Sequence, residues 1–340
     1  MSKRIGILTA GGDCPGLNAA IRGVGKTAIL EYGMEVYGIS SGFLGLINRD
    51  FFLFDEESLS GIITLGGTIL GTSREKPFKK SKGIQGVDKP ALIRQHYEEM
   101  GFDALVIIGG NGTMNTAHLL AEQEGLNVIG LPKTIDNDVW GTDFTFGFDS
   151  ALNIATDAID RLHTTANSHR RTMVIEIMGH HTGWLALYSG MASGGDIILI
   201  PEIDYDINKV ICCLEERAKV GKPYSIVVVA EGIKKPKKEH AGNFIANEIK
   251  ERTGLETRTT ILGYVQRGGS PTPNDRILAT RYGAYAVDLI SKEMYGNMVS
   301  MRCGDIGHIP LSEVGGKLRT VPQDSRMIKK LRGMGVCFGD

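Results

Sequence analysis

The sequence of 340 residues has almost no net charge: 38 Lys+Arg against 39 Asp+Glu leave −1 at neutral pH. The two signs are interspersed, so no electrostatic feature points to nucleic acid or an anionic membrane as a partner, although a small anionic ligand needs only local charge. No stretch approaches the ~18 consecutive apolar residues of a membrane span, and the chain enters an apolar strand-like run at Ile5, so neither a signal peptide nor an anchor is expected. Cysteine is scarce and odd in number (Cys14, Cys212, Cys213, Cys303, Cys337), and none forms a C-x-x-C pair with metal or redox spacing. A reducing cytoplasm suits that pattern. Only 11 prolines are present, with no G-x-y period, no low-complexity linker and no internal repeat of about 20–50 residues. The short lysine cluster Lys234 to Lys238, beside Glu239, reads as a solvated loop.

What is abundant is glycine: 45 residues, nearly twice the usual ~7%, in a chain whose other proportions are those of an ordinary globular protein of roughly two domains. Short β-branched runs alternate with segments long enough for a helix: Ile5 to Ala10, Val36 to Ile39, Ala104 to Ile108, Val128 to Leu131, Met173 to Met178, Ile197 to Ile200, Ile226 to Ala230 and Ile261 to Val265. Continuous apolar runs, without in-out alternation, suit strands covered on both faces and predict an α/β protein with parallel sheets. Among the helices, Ser150 ahead of Ala151 to Thr164 reads as a start, with Ile154, Ala158 and Leu162 recurring at four-residue steps on a half-buried face.

The glycines cluster where strands end. Ile5 to Ala10 runs into Gly11-Gly12-Asp13-Cys14-Pro15-Gly16, Ala104 to Ile108 into Gly109-Gly110-Asn111-Gly112-Thr113, and Val128 to Leu131 into Pro132-Lys133-Thr134-Ile135-Asp136-Asn137-Asp138. In an open parallel sheet the ligand crevice lies at the carboxyl ends of the strands, so the three loops are expected to converge. A turn without side chains lets backbone N–H groups approach a phosphate, and a following helix N-terminus adds partial positive charge. Taken alone, Gly11-Gly12-Asp13 fits a tight strand-to-helix turn equally well; two such loops together suggest a polyphosphate. Neither is the P-loop GxxxxGK[ST] or the GxGxxG dinucleotide fingerprint. In the third loop a carboxylate of Asp136 or Asp138 can accept the proton of an attacking hydroxyl while the other holds a metal or orients the first, and Lys133 can neutralise phosphoryl charge. Standing alone, Asp136, Asn137 and Asp138 would also serve as turn formers.

The ordered series GILTAGGDCPGLNAAIRGV, GGNGT, PKTIDND, TFGFDSA, IDRLHTTANSHRR, MGHHTGW, VVVAEG and GYVQRGGSPTPNDR, spanning Ile5 to Tyr282, resembles the phosphofructokinase family, which phosphorylates fructose 6-phosphate at its 1-hydroxyl. The resemblance implies two doubly wound, mostly parallel-sheet α/β domains with the active site between them: residues 1–145 plus about 260–305 for the phosphoryl donor, and 146–259 plus about 306–340 for fructose 6-phosphate. It implies Asp136 as general base, Thr134 holding the sugar hydroxyl, Asp138 supporting the metal and charge environment, and Arg74 and Lys133 at the transferring phosphoryl group. Gly11, Gly12, Gly110, Asn111, Gly112 and Thr113 would bind the donor. For the sugar phosphate it implies Arg171, Met178, Gly179, His180, Glu231, Arg258, Tyr264 and Arg267, with Arg171 and Arg258 reaching across from a neighbouring subunit of a homo-oligomer. The expected cofactor is Mg2+, near Asn111 and Asp138.

Some positions depart from the family pattern. Asn111 stands where the family has an aspartate associated with magnesium, His180 replaces the usual arginine of MGR, and Tyr264 occupies a position that is often histidine. Gly112 resembles ATP-using members, leaving room for the nucleotide α-phosphate where pyrophosphate users carry an aspartate. Lys133 resembles pyrophosphate users, and Glu75 and Lys79 stand where an aromatic and an arginine are common, which weakens the nucleotide contacts and leaves pyrophosphate as the alternative donor. A clash excludes ATP whereas a lysine need not, so ATP is expected over pyrophosphate. At the family's effector cleft the matching positions are Arg22, Lys26, Glu56, His163, Val220 and Lys222, where a carboxylate in place of a cation repels phosphate and predicts weak or absent control. A noncatalytic regulatory paralogue would explain Asn111 and His180 but not the retained Asp136, Asp138, Thr134 and Arg74. A nicotinamide-coenzyme kinase shares a GG-acid-GT loop but does not account for PKTIDND and the arginines.

Overall fold

The computed structural model describes residues 2–79 and 88–340. The chain divides into two compact units, one made of Met1–Thr134, Asp138–Asp149 and Arg267–Leu318, the other of Ile135–Asn137, Ser150–Gln266 and Arg319–Asp340. The first unit opens with β1 (Arg4–Thr9), α1 (Leu17–Lys26), β2 (Glu35–Ile39), α2 (Phe43–Asn48), β3 (Phe51–Leu53), α3 (Lys89–Met100), β4 (Ala104–Gly109), α4 (Asn111–Glu124) and β5 (Val128–Pro132). Most of the second unit follows: α5 (Phe148–His169), β6 (Thr172–Ile177), α6 (Trp184–Ala192), β7 (Ile197–Leu199), α7 (Ile207–Lys219), β8 (Ser225–Ala230), α8 (Ala241–Thr253) and β9 (Thr257–Ile261). The chain then returns to the first unit as α9 (Pro273–Ser291), β10 (Asn297–Arg302), β11 (Asp305–Pro310) and α10 (Leu311–Val314), and ends in the second with α11 (Arg326–Gly333).

The first sheet has strand order β11-β10-β5-β4-β1-β2-β3. Its five central strands are parallel, and each edge is closed by one antiparallel strand. Ile5, Ile7 and Leu8 of β1 and Leu105, Val106, Ile107 and Ile108 of β4 are fully buried, as the unbroken apolar runs required. Because β1, β4 and β5 are parallel neighbours, their carboxyl ends share one edge, and the loops after them emerge together. The second sheet, β7-β8-β6-β9, is wholly parallel, with β6 and β8 buried along their length. The α/β class and the mostly parallel sheets agree with the reading from periodicity.

Two local expectations are corrected, and one pairing is new. The strand expected at Ile261 to Val265 lies earlier, at Thr257–Ile261, where three threonines in five residues favour extended backbone; Gly263 turns to φ +55° and the chain becomes a 3-10 helix over Gly263–Arg267. The helix expected to begin after Ser150 begins at Phe148, directly after Gly147 at φ +100°, so Ser150 is inside it. Its fully buried stripe is Ala151, Ala155 and Ile159, while Ile154, Ala158 and Leu162 are half-buried beside it. Finally, Cys213 of α7 and Cys337 are paired as a disulfide although they lie 124 residues apart, and Cys337 bridges Ile197 alongside β7.

Glycine also sets helix contact. At Gly23 in α1 an added Cβ would sit 2.8 Å from the Thr280 carbonyl oxygen, and at Gly283 in α9 it would sit 2.7 Å from the Ala20 carbonyl oxygen. The two helices therefore touch backbone to backbone, and neither contact can yield through a flexible side chain. Gly283→Ala is expected to cost about 1–3 kcal/mol through overpacking. In urea unfolding its midpoint falls below wild type, whereas Gly333→Ala, in α11 with nothing within 4 Å of the added carbon, leaves the midpoint unchanged or raised.

Candidate active site

The loops that leave the first sheet are tied to one another. Ala10 N–H donates to the Ile108 carbonyl at 2.9 Å, and Thr113 Oγ1 donates to the Ala10 carbonyl at 3.4 Å. Gly11, at φ +85°, donates its N–H to the Ser73 carbonyl at 2.9 Å and accepts from Thr72 Oγ1 at 2.7 Å, which fixes the segment that carries Arg74. Arg74 itself is exposed and makes no ion pair among the described residues. The backbone N–H of Lys133 donates to the Gly109 carbonyl at 2.9 Å, and its buried ammonium donates to the Gly12 carbonyl. Gly11, Gly12, Gly110, Asn111, Gly112, Thr113 and Lys133 thus form one constellation, as their positions after adjacent strands predicted.

Helix α4 begins inside that constellation. Gly110 precedes it without a side-chain cap, and its first turn holds no acidic residue; Thr113 N–H turns back to the Gly110 carbonyl at 2.9 Å, so it is the positive end of the dipole that favours an anion there. Gly112, in that first turn, is exposed, has no positive φ, and an added Cβ would meet nothing within 4 Å. Neither packing nor backbone geometry requires glycine there. The space beside it is open.

The loop after β5 is held by its carbonyl groups. Thr134 O accepts from Thr145 Oγ1 at 2.8 Å, Asp136 O from Thr182 Oγ1 at 3.3 Å, Asn137 O from Arg319 Nη1 at 2.9 Å, and Asp138 O from Asn111 Nδ2 at 2.9 Å. Asn137 sits at φ +51°, a left-handed turn that asparagine tolerates better than most residues. The Oδ1 atom of Asn111 is buried with no hydrogen-bond partner, leaving an acceptor beside Asp138. Among the described residues no three His, Cys, Asp or Glu side chains converge as a metal cage.

In the second unit a turn at the end of β6 gathers several expected sugar-phosphate residues. Glu231 Oε1 accepts the N–H groups of Gly179 at 3.2 Å and His180 at 2.8 Å, and Met178 N–H donates to Gln266 Oε1 at 3.3 Å. His180 adopts φ +52° with its ring 3.8 Å from that of His181, and Thr182 N–H closes the turn on the Gly179 carbonyl at 2.9 Å. Tyr264 is exposed on the 3-10 helix. Arg171 and Arg258 meet on one carboxylate, Glu256 Oε1, at 2.7 and 2.8 Å. The Arg171 hydrogen bond is the leading cause that holds the Glu256 carboxyl below its ordinary pKa. Arg267 groups with the other unit, its guanidinium occupying the space that a side chain on Gly12 would need. At the expected effector position, His163 is already committed, with Nδ1 at 3.0 Å from Tyr224 Oη and Nε2 at 2.7 Å from the Ser193 carbonyl.

Residues 4–290 match the family described as phosphofructokinase. The chain belongs to that family. Over 99% of its length it is 60% identical to the whole of ATP-dependent 6-phosphofructokinase 3 of Bacteroides thetaiotaomicron, and over its full length 55% identical to 98% of ATP-dependent 6-phosphofructokinase of Spirochaeta thermophila. Among solved structures it superposes on the phosphofructokinase of Saccharomyces cerevisiae with a TM-score of 0.84 at 34% identity, over 92% of this chain and 44% of the yeast chain. The chain therefore spans less than half of the yeast subunit.

Against this phosphofructokinase background, some of the residues that shape the site had escaped the sequence reading. Thr145, Thr182 and Trp184 lie within motifs that resemblance picked out as strings, but spacing could not say that two of them hold loop carbonyls. Glu256 precedes Arg258 by two residues and gave no signal of gathering Arg171 as well. Arg319 lies beyond the matched motifs altogether. Cys14, between the glycines of the first loop, is buried, and burial pushes its thiol up to about 12. A thiol raised from its ordinary 9.0 stays protonated at neutral pH, and the stability its burial contributes is present below pH 9 and lost as pH rises toward 12. Alkylation of the native protein at pH 8 followed by peptide mass spectrometry should modify exposed Cys303 and leave Cys14 unmodified until the chain is unfolded.

Proposed function

We infer that this phosphofructokinase transfers the γ-phosphoryl group of ATP, with magnesium, to the 1-hydroxyl of fructose 6-phosphate to give fructose 1,6-bisphosphate. The observation that carries ATP as donor is the open space at Gly112, where the chain has no internal use for a missing side chain. An aspartate there would project charge and bulk toward the α-phosphate, and the full-length relatives bear the name ATP-dependent. Pyrophosphate has Lys133 in its favour, but a lysine at that position does not exclude ATP, whereas an aspartate at position 112 would.

In this reading Asp136 accepts the proton of the sugar 1-hydroxyl while Thr134 holds that hydroxyl in line. Lys133 and Arg74 oppose the charge spread over the transferring phosphoryl oxygens, a task suited to fixed cations in a preorganised site. Gly11, Gly12, Gly110, Gly112 and Thr113, with the N-terminus of α4, cradle the donor phosphates. A magnesium ion usually keeps several waters and rides on substrate phosphates with one or two carboxylates, and the Asp138 carboxylate with the unpartnered Oδ1 of Asn111 suits that mode. Bound there, it would neutralise charge on the donor phosphates. Glu231, Met178, Gly179, His180, Tyr264 and Arg267 would contact the sugar phosphate. Arg171 and Arg258, gathered by Glu256, would complete the site of a neighbouring copy in a homo-oligomer. The first unit would thus hold the donor and the second the sugar phosphate, in the cytoplasm.

Two variants test the assignment. Asp136→Ala should lower kcat by about 10²–10⁴-fold, the usual contribution of a general base, while calorimetric ATP affinity stays within a few-fold of wild type. Gly112→Asp should fold normally, because the added side chain meets open space, yet lose ATP binding. Unchanged turnover in the first or unchanged ATP affinity in the second would contradict the corresponding role.

A further inference from the structure

The loop that carries Asp136 is fixed by a residue from far along the chain. Arg319 donates from Nη1 to the Asn137 carbonyl at 2.9 Å across a separation of 182 residues. Its guanidinium lies over the indole of Trp184, 4.0 Å from the ring centroid, and Trp184 Nε1 donates to the carbonyl of Arg319 itself at 3.0 Å. One tryptophan, buried at the start of α6, therefore holds the arginine twice, its ring face against the cation and its edge against the backbone. The carbonyl so gripped belongs to Asn137, the residue at φ +51° that separates Asp136 from Asp138.

We propose that Arg319, clamped by Trp184, is a positioning residue for the reaction: it locks the left-handed turn at Asn137 and so fixes the direction in which Asp136 presents its carboxylate. The proposal rests on the reading of Asp136 as the general base. Asparagine can adopt the left-handed turn, but it can equally adopt others, and the bond from Arg319 selects this one. The neighbouring hold on Asp136 O, from Thr182 Oγ1, is a longer hydroxyl bond at 3.3 Å, so the charge-assisted bond to Asn137 is the firmer of the two. The grip of Arg319 is on a backbone carbonyl of the loop. It acts through the peptide of the loop, and a misplaced base loses rate without losing substrate, because small displacements of a catalytic group cost turnover steeply.

The test uses the full-length protein with Arg319→Met, Arg319→Lys and Trp184→Phe, each checked for fold by circular dichroism and thermal unfolding, alongside Asp136→Ala. Arg319→Met should lower kcat about tenfold or more with KM for both substrates within about threefold, the pattern of an interaction that matters in the transition state alone. Arg319→Lys, which keeps a charged donor but not a planar face, should recover part of the loss, and Trp184→Phe, which keeps the face but not the N–H, should lie between wild type and Arg319→Met. Combined with Asp136→Ala, Arg319→Met should add less than about twofold, since the group it positions is already gone. A folded Arg319→Met with kcat within twofold of wild type, a loss confined to KM, or full additivity with Asp136→Ala overturns the proposal. If Arg319→Met does not fold, unchanged kcat in both Arg319→Lys and Trp184→Phe overturns it. Full activity in Asp136→Ala alone would overturn the general-base reading and is read separately from the arginine variants.

Discussion

The constraint on which the site depends is that an irregular loop must find partners for its carbonyl groups. Past Pro132 the chain leaves the sheet, with isolated bridges at Lys133 and Val139, yet Asn137 and Asp138 are buried, and buried carbonyls left without donors are costly. Here Thr145, Thr182, Arg319 and Asn111 supply those donors, one to each of the carbonyls of Thr134, Asp136, Asn137 and Asp138. The donors come from four separate stretches of sequence. A loop so held is a fixed mount for Asp136, which is what the base role proposed for it requires, since the rate would depend on where its oxygen lies.

The parallel sheet supplies the other half of the arrangement. Setting β1, β4 and β5 side by side brings three stretches far apart in sequence, Gly11-Gly12, Gly110-Asn111-Gly112 and Lys133, to one edge. The glycines then divide by physical use. Gly23 and Gly283 let α1 and α9 touch, Gly11 takes a left-handed turn, and Gly112 does neither.

Much of this was legible in the sequence, for identifiable reasons. Strands buried on both faces print as unbroken apolar runs, so β1, β4, β5, β6 and β8 were visible, and the loops after the first three stood out because glycine and paired aspartates are unusual at strand ends. What could not be read depends on distance or on mixed composition. The hairpin β10 and β11 mixes serine, arginine, histidine and glycine with its apolar residues, since its outer strand is an exposed edge. The shift of β9 turned on Gly263, whose positive φ is a property of the fold. The pairing of Cys213 with Cys337, the meeting of two arginines on Glu256 and the reach of Arg319 to Asn137 are tertiary facts that no spacing encodes.

The resemblance to phosphofructokinases came from motifs that the fold then arranged into connected groups, and the family match and full-length relatives agree with it. The choice of donor is the claim that joins the open space at Gly112 to the chemistry of the loop. It is tested most directly by initial rates of fructose 1,6-bisphosphate formation by the purified wild-type protein, supplied with fructose 6-phosphate, magnesium and either ATP or pyrophosphate at equal concentration. Turnover with ATP and little or none with pyrophosphate is expected; faster turnover with pyrophosphate than with ATP would contradict the assignment of ATP as donor.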